Sequence, residues 1–388
     1  MRAFSPRSFI LFCVILTVCF VVPGLPAAGQ TAASDASLAQ RRAEHLRHGI
    51  NTSSWFAQVY ESGYTPEHFK TAVTAEDIAL IKSSGFDHVR LSVNPQFLFN
   101  EREPDRIPAD YLGYLDAAVK MILDHGLSVV IDMHPESDFK ARLRQDEFVE
   151  QFADFWRALA QHYANLDPDR VFFEIMNEPE MADRYRWFGI EAKVAAAIRE
   201  GAPKNTIIAA GARWSGVDEL VFMDTLRDPN VIYNFHFYEP YEFTHQGATW
   251  GSYYWHWLRG IRYPSTVESA EKAAAAIPDE DAADRLPVIR FGYDHWDASR
   301  IDGEINQVAE WAARQHVVMV CNEFGAFRKY SDPKDRAAWI NDVRTSLERH
   351  GMGWAMWDYN GSFGVVTEVN GHPVPDAGVL NALGLKRP

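Results

Sequence analysis

Short apolar runs alternate with amphipathic segments along this chain from about residue 46 onward, and the alternation is regular. Runs of strand length fall at His48 to Thr52, Asp87 to Val93, Ser128 to Met133, Val171 to Met176, Thr206 to Ala210, Val231 to Phe237, Val317 to Asn322 and Gly353 to Trp357. Nearly continuous hydrophobicity marks strands covered on both faces, as in a parallel sheet. Helical periodicity lies between them, at Ala109 to His125, Asp146 to Ala164, Arg184 to Glu200, Glu304 to Gln315 and Lys334 to His350, with Gly85, Gly126, Gly201 and Gly351 placed as C-terminal stops. This alternation of eight strands with helices predicts an α/β fold, a (β/α)8 TIM barrel in one domain. An open doubly wound sheet is the alternative; neither G-x-G-x-x-G nor a P-loop is present to support it.

The rhythm breaks once. From Glu239 to Gly303, after the sixth strand, a long insertion begins rich in Trp and Tyr and continues rich in Ala and Asp, with a short helix expected at Ser269 to Ala276. Loops after barrel strands build the catalytic face, so this insertion is expected to shape a substrate cleft.

The N-terminus has a different pattern. Arg2 and Arg7 precede an apolar run from Phe9 to Val22 and then small residues, which reads as a signal peptide over residues 1–29. A polar segment follows at 30–45 and the barrel domain at 46–388. The expected destination is secretion or the periplasm; an uncleaved signal anchor is the alternative, and no stable membrane partner is expected.

Net charge is −15, and near −17 without Arg2 and Arg7. No dense cluster of Lys and Arg offers polyanions a footing, so nucleic acid is excluded as a partner and a neutral polymer or small molecule is favoured. Cys13 and Cys19 lie in the signal, leaving Cys321 without a partner for an internal disulfide; between apolar neighbours it reads as a small buried strand residue.

Two strands end in the same design. Val171 to Met176 runs into Asn177-Glu178-Pro179, and Val317 to Asn322 runs into Glu323-Phe324-Gly325. A carboxylate at the C-terminal end of a barrel strand faces the catalytic cavity, where low-dielectric surroundings let one such group keep its proton as a general acid. One Glu there is ordinarily the first solvated loop residue, whereas two in matched contexts form the pair that retaining glycosidic cleavage needs, about 5 to 5.5 Å apart. Glu174, inside its run, is expected to be a structural ion-pair or hydrogen-bonding residue of the barrel interior.

These strand ends resemble glycoside hydrolase family 5, the cellulase family. The resemblance runs through Gly49-Ile50-Asn51 with Trp55-Phe56, Gly85 to Arg90, Gly126 to His134, Asn177-Glu178-Pro179, Asn234 to Tyr238, Glu323-Phe324-Gly325 and Trp354 to Trp357. It implies a retaining hydrolase with Glu178 as acid/base and Glu323 as nucleophile. It further implies that Arg90 and Tyr238 hydrogen-bond Glu323, with Arg90 keeping it ionised, and that Asn177 meets the sugar 2-hydroxyl. His134 and His236 would line the scissile subsite, and Trp357 would floor it, with Trp357-Asp358 a candidate cis peptide. Trp55, Trp214, Trp250, Tyr254 and Trp255 are further sugar platforms to test against ordinary packing. The stretch from Glu239 to Gly247 resembles some bacterial members.

The expected activity is cleavage of a β-glucan, foremost an endo-β-1,4-glucanase, acting on a polysaccharide or oligosaccharide without cofactor or metal, as a monomer. Mannan, xyloglucan or β-1,3-glucan as substrate, and transglycosylation in place of hydrolysis, are alternatives within the same chemistry. A non-catalytic carbohydrate-binding barrel and a metal-dependent hydrolase built on Asp132, His134 and His236 are alternatives from other classes, the latter lacking H-x-H and H-E-x-x-H patterns.

Overall fold

The structure, a computed structural model, describes residues 36–60 and 63–386; the signal peptide expected at 1–29 lies outside the described residues. Eight strands form β1 (His48–Thr52), β2 (His88–Val93), β3 (Ser128–Met133), β4 (Val171–Glu174), β5 (Thr206–Ala210), β6 (Val231–Phe237), β7 (Val318–Phe324) and β8 (Gly353–Met356). Each pairs in parallel with the next, and β8 returns to β1 with Trp354 opposite His48. The sheet is therefore a closed barrel, which rules out the doubly wound alternative.

Side chains alternate along each strand between the barrel interior and the helical shell. Val129, Ile131, Phe173, Ile207, Phe235 and Cys321 face outward into the large core shared with the helices. Val130, Phe172, Ile208, Ile232 and Val320 face inward and close the lower end of the barrel together with Leu46 and Ala39. Ala39 comes from α1 (Leu38–Ala43), whose first turn is fixed by a capping box between Ser37 and Gln40. This six-residue helix sits in the segment read as polar leader; it is too short to show a period.

The shell includes α2 (Ala75–Ser84), α3 (Ala109–Asp124), α4 (Ser137–Arg142), α5 (Asp146–Tyr163), α6 (Arg184–Gly201), α7 (Val267–Ala274), α8 (Arg285–Tyr293), α9 (Ala298–Gln315) and α10 (Pro333–Arg349), beside further short helices and turns. α5 shows why these segments are helical: Phe148, Phe152, Phe155, Trp156 and Leu159 recur three or four residues apart and are buried on one face. Gly85, Gly126 and Gly351 have left-handed backbone just past their helices. Gly201 differs from expectation. It is the last helical residue, and a Cβ there would lie 2.3 Å from the Arg157 carbonyl oxygen, so its role is close packing of α6 on α5.

The insertion after β6 is shorter than its composition suggested. α9 begins at Ala298, capped by the Asp297 carboxylate on the Ser299 and Arg300 amides, and Gly303 lies inside it. The insertion is pinned to the barrel: Arg262 and the Tyr263 amide bond Asp335 on α10, the Tyr263 hydroxyl donates to Asp342 at 2.7 Å, and the Arg259 guanidinium lies 3.5 Å from the Tyr330 ring centre. Beyond β8 a hairpin forms from β9 (Val366–Val369) and β10 (His372–Pro375).

Candidate active site

The two matched strand ends reach the cavity by different local devices. β4 stops at Glu174, two residues short of the apolar run, and the chain beyond it turns until Glu178 takes a left-handed backbone with φ 45°. Such a conformation costs a non-glycine residue on the order of 1 kcal/mol. β7 instead runs on to Phe324 through a register shift: Phe235 pairs with Cys321 but His236 with Glu323. The extra residue, Asn322, lets both Asn322 and Glu323 face inward in succession, which strict alternation forbids. The glycine after Phe324 is required by contact, since a Cβ at Gly325 would lie 2.4 Å from the Trp357 carbonyl oxygen.

Oxygens of Glu178 and Glu323 and a ring nitrogen of His236 lie within 4.8 Å of one another. The Glu323 side chain is 5% exposed and that of Glu178 is 26% exposed. Burial pushes the Glu178 carboxyl upward, against the opposing charges of Lys140 and Arg90. Glu323 accepts two hydrogen bonds, from Arg90 Nη1 at 2.5 Å and from the Tyr238 hydroxyl at 2.9 Å. Burial and the two glutamates hold Tyr238 well above the ordinary phenol range, so it stays a donor.

Arg90 organises the layer beneath. Its Nε and Nη2 form a fork on Glu174 at 2.8 and 2.7 Å, Nη1 also meets Asn51 Oδ1, and Nη2 meets Asn177 Oδ1 and lies 3.1 Å from Asp132. Glu174 is fully buried and also accepts from Asn234 and Asn322. It is thus the structural ion-pair partner expected of its place inside the strand, and Asn51, Asn234 and Asn322 complete its surroundings.

Two histidines are held neutral, and their neighbours fix their tautomers. Burial lowers His134 to about 3 and His236 to about 4. His134 Nδ1 donates to Asp132 at 2.9 Å, leaving Nε2 to accept from Asn177 Nδ2 at 3.1 Å and from Gln58 Nε2 at 3.2 Å. Asn177 is therefore locked at both ends, with one amide hydrogen left for a ligand. His236 Nε2 accepts from Asn234, so Nδ1 donates to Glu178 Oε1 at 2.9 Å. Asp132 and His134 are bonded to each other, and the potential ligand atoms that gather with His236 belong to Glu178 and Glu323 instead of Asp132 and His134.

Trp357 lies flat beside His134, with ring centres 5.6 Å apart and planes 16° from parallel, and its peptide bond to Asp358 is cis. It belongs to a small aromatic cluster with Tyr238, Phe327 and Phe363. All eight residues singled out in the sequence, Arg90, His134, Asn177, Glu178, His236, Tyr238, Glu323 and Trp357, thus meet at the C-terminal mouth of the barrel.

The additional aromatic candidates separate. Trp55 is buried with its Nε1 on the Phe69 carbonyl, and Trp255 is stacked behind Tyr241, so both pack the protein. Tyr254 is partly buried, with its hydroxyl on Glu242. Trp250 is half-exposed and meets Phe327 edge-on at 5.1 Å. Trp214 is exposed and donates its amide to the Pro179 carbonyl, beside Glu178. Gln58 was not foreseen. It is a polar residue in a loop, at φ 50°, and only its contact with His134 gives it meaning.

Comparison with known proteins places this geometry. A profile described as Cellulase (glycosyl hydrolase family 5) matches residues 49–362. The chain is 29% identical over 318 residues to Endoglucanase C of Acetivibrio thermocellus, covering 80% of this chain and 90% of that protein. Endoglucanase Cel5A from the hyperthermophilic Thermotoga maritima superposes with a TM-score of 0.72 at 26% identity, covering 88% of this chain and 98% of that one. A hyperthermophilic endo-β-1,4-glucanase solved with substrate has the same fold, with a TM-score of 0.72 at 24% identity over 90% of this chain and all of that one.

Proposed function

This chain belongs to glycoside hydrolase family 5, the cellulase family, and from that premise we propose that it is an endo-acting β-1,4-glucanase working by double displacement. The observation that carries the double-displacement mechanism is the spacing of the two glutamates, one oxygen of each lying within 4.8 Å of the other. A retaining pair stands about 5 to 5.5 Å apart, and an inverting pair at about 6.5 to 9.5 Å to admit water between them.

Glu323, oriented by Arg90 and Tyr238, attacks the anomeric carbon while Glu178, whose carboxyl burial pushes upward, gives its proton to the leaving oxygen. A covalent glycosyl-enzyme results. Glu178, now a carboxylate bonded to His236, takes a proton from water as that water displaces Glu323, and the anomeric configuration is restored. The remaining amide hydrogen of Asn177 meets the sugar 2-hydroxyl, and Trp357 receives the apolar face of the ring.

The β-1,4-glucan assignment rests on the names of the relatives, and release of reducing ends from a panel of β-1,4-glucan, β-mannan, xyloglucan and β-1,3-glucan tests it. Preferred release from β-1,4-glucan, abolished in Glu323→Ala, is expected; preference for another backbone would replace the substrate, and binding without release would favour a non-catalytic barrel. Export belongs to the same proposal, since an insoluble polymer must be met outside the cell; the protein in a culture or periplasmic fraction, lacking residues 1–29, is the expected finding, and retention in the membrane would support the anchor.

A further inference from the structure

Lys140 is a buried cation near the site that the mechanism above does not use. It lies on α4, directly after β3 and His134, and its side chain is only 6% exposed. Its Nζ stands 3.2 Å from Glu180 Oε1, which also accepts from the Ser137 hydroxyl at 2.8 Å. Glu180 follows Glu178 across Pro179, so the pair ties the loop after β3 to the loop that carries the acid/base. A buried ion pair is a weak source of net stability, because desolvation offsets the attraction. Its position points to another effect: Glu180 stands two residues from Glu178 on the same loop and holds the buried Lys140 ammonium beside that loop, so a cation that favours ionised Glu178 and an anion that favours its protonated form are fixed together next to the acid/base.

We propose that the Lys140–Glu180 pair sets the pH range over which Glu178 donates its proton, Lys140 narrowing that range at its basic end and Glu180 widening it. This rests on the reading of Glu178 as acid/base. The other groups facing Glu178 are poor candidates for such tuning. His134 and His236 are neutral above about 3 and about 4, and Tyr238 and Tyr241 are held protonated by burial. The Arg90 charge is shared among Asp132, Glu174 and Glu323, and Glu323 is consumed in the reaction itself.

The test is the pH profile of kcat/KM on a soluble cello-oligosaccharide for Lys140→Met, Lys140→Arg and Glu180→Gln. Removing the cation makes protonated Glu178 easier to hold, so the basic limb of Lys140→Met moves up by about 1 pH unit, while that of Glu180→Gln moves down by a fraction of that. Lys140→Arg keeps the charge and leaves the limb near the parent position. A merely structural role would lower kcat without moving the limb, or move both variants the same way, and either result overturns the proposal. Should Lys140→Met fail to fold, Glu180→Gln and Lys140→Arg still decide it. Glu178→Ala separates the two levels of inference. If that variant lacks the basic limb while the pair's variants leave it unmoved, only the tuning fails; if the limb persists in Glu178→Ala, the acid/base assignment fails.

Discussion

Replacing Arg90 by Met removes the cation on which the upper interior of the barrel depends, and the surrounding geometry sets the scale of the loss. The guanidinium donates to Glu174 twice, to Glu323, to Asn51 and to Asn177, and stands 3.1 Å from Asp132. Burial by itself weakens its hold on the proton; Asp132, Glu174 and Glu323 outweigh that and hold Arg90 above its ordinary value. Met fills much of the same space but leaves three inward carboxyls without a counter-charge.

Removing one member of a buried charge pair costs about 3–5 kcal/mol, a large share of the roughly 5–15 kcal/mol that stabilises a typical domain. With an unfolding entropy near 2.1 cal/mol/K per residue, a domain of this length should lose roughly 4–7 °C in Tm. The loss should depend on pH with a definite sign. Burial already raises Asp132 to about 6 in the parent, and raises Glu174 as well. Without Arg90 these groups rise further, and a carboxyl with a folded value above its unfolded one contributes stability at low pH that disappears as pH climbs through the folded value. Thermal unfolding followed by circular dichroism should therefore show the larger deficit at pH 8 and a smaller one at pH 5. A variant that melts with the parent at pH 8, or whose deficit grows on acidification, would refute the reasoning.

Tyr238→Phe deletes one 2.9 Å donor to Glu323 without changing the packing shape; a bond to a charged group is worth about 1.5–3 kcal/mol, so kcat on a soluble glucan should fall roughly 10- to 150-fold, and an unchanged kcat would show the contact to be idle. Glu191, buried in α6 with Oε1 on the Ala210 amide and Oε2 unpartnered, is pushed by burial to about 8. Its contribution to stability is complete below its unfolded value and lost as pH rises through about 8, so Glu191→Gln should flatten that loss in denaturant titrations between pH 5 and 9, and an equally steep loss would contradict the assignment. Trp250→Ala should raise KM several-fold for long cello-oligosaccharides while leaving an aryl cellobioside unaffected, because Trp250 adjoins the Trp357 cluster through Phe327; an equal effect on both substrates would place it in the fold rather than the cleft.

The barrel was legible because its strands are covered on both faces and leave uninterrupted apolar runs, and the two strand-end glutamates stood out against them. What the sequence concealed depends on local backbone geometry. The bulge at Asn322, which turns Glu323 inward, leaves no mark in a hydrophobic pattern. Gln58 and Lys140 lie on loops and a short helix, where no periodicity reports direction, and they acquire a role only through His134 and Glu180. Gly201 looked like a helix stop because it ends a helix, while the constraint upon it is contact with Arg157 across the helix pair. The start of α9 was obscured by Gly303, which an exposed helical surface tolerates at a cost of about 1 kcal/mol.

The double-displacement mechanism makes its most direct statement about stereochemistry. Proton NMR of a cello-oligosaccharide digest, recorded before the products mutarotate, identifies the anomer formed first. Glutamate oxygens within 4.8 Å predict that the β anomer appears first and the α anomer only later, by mutarotation; an α anomer formed first would mean inversion and would contradict Glu323 as a nucleophile.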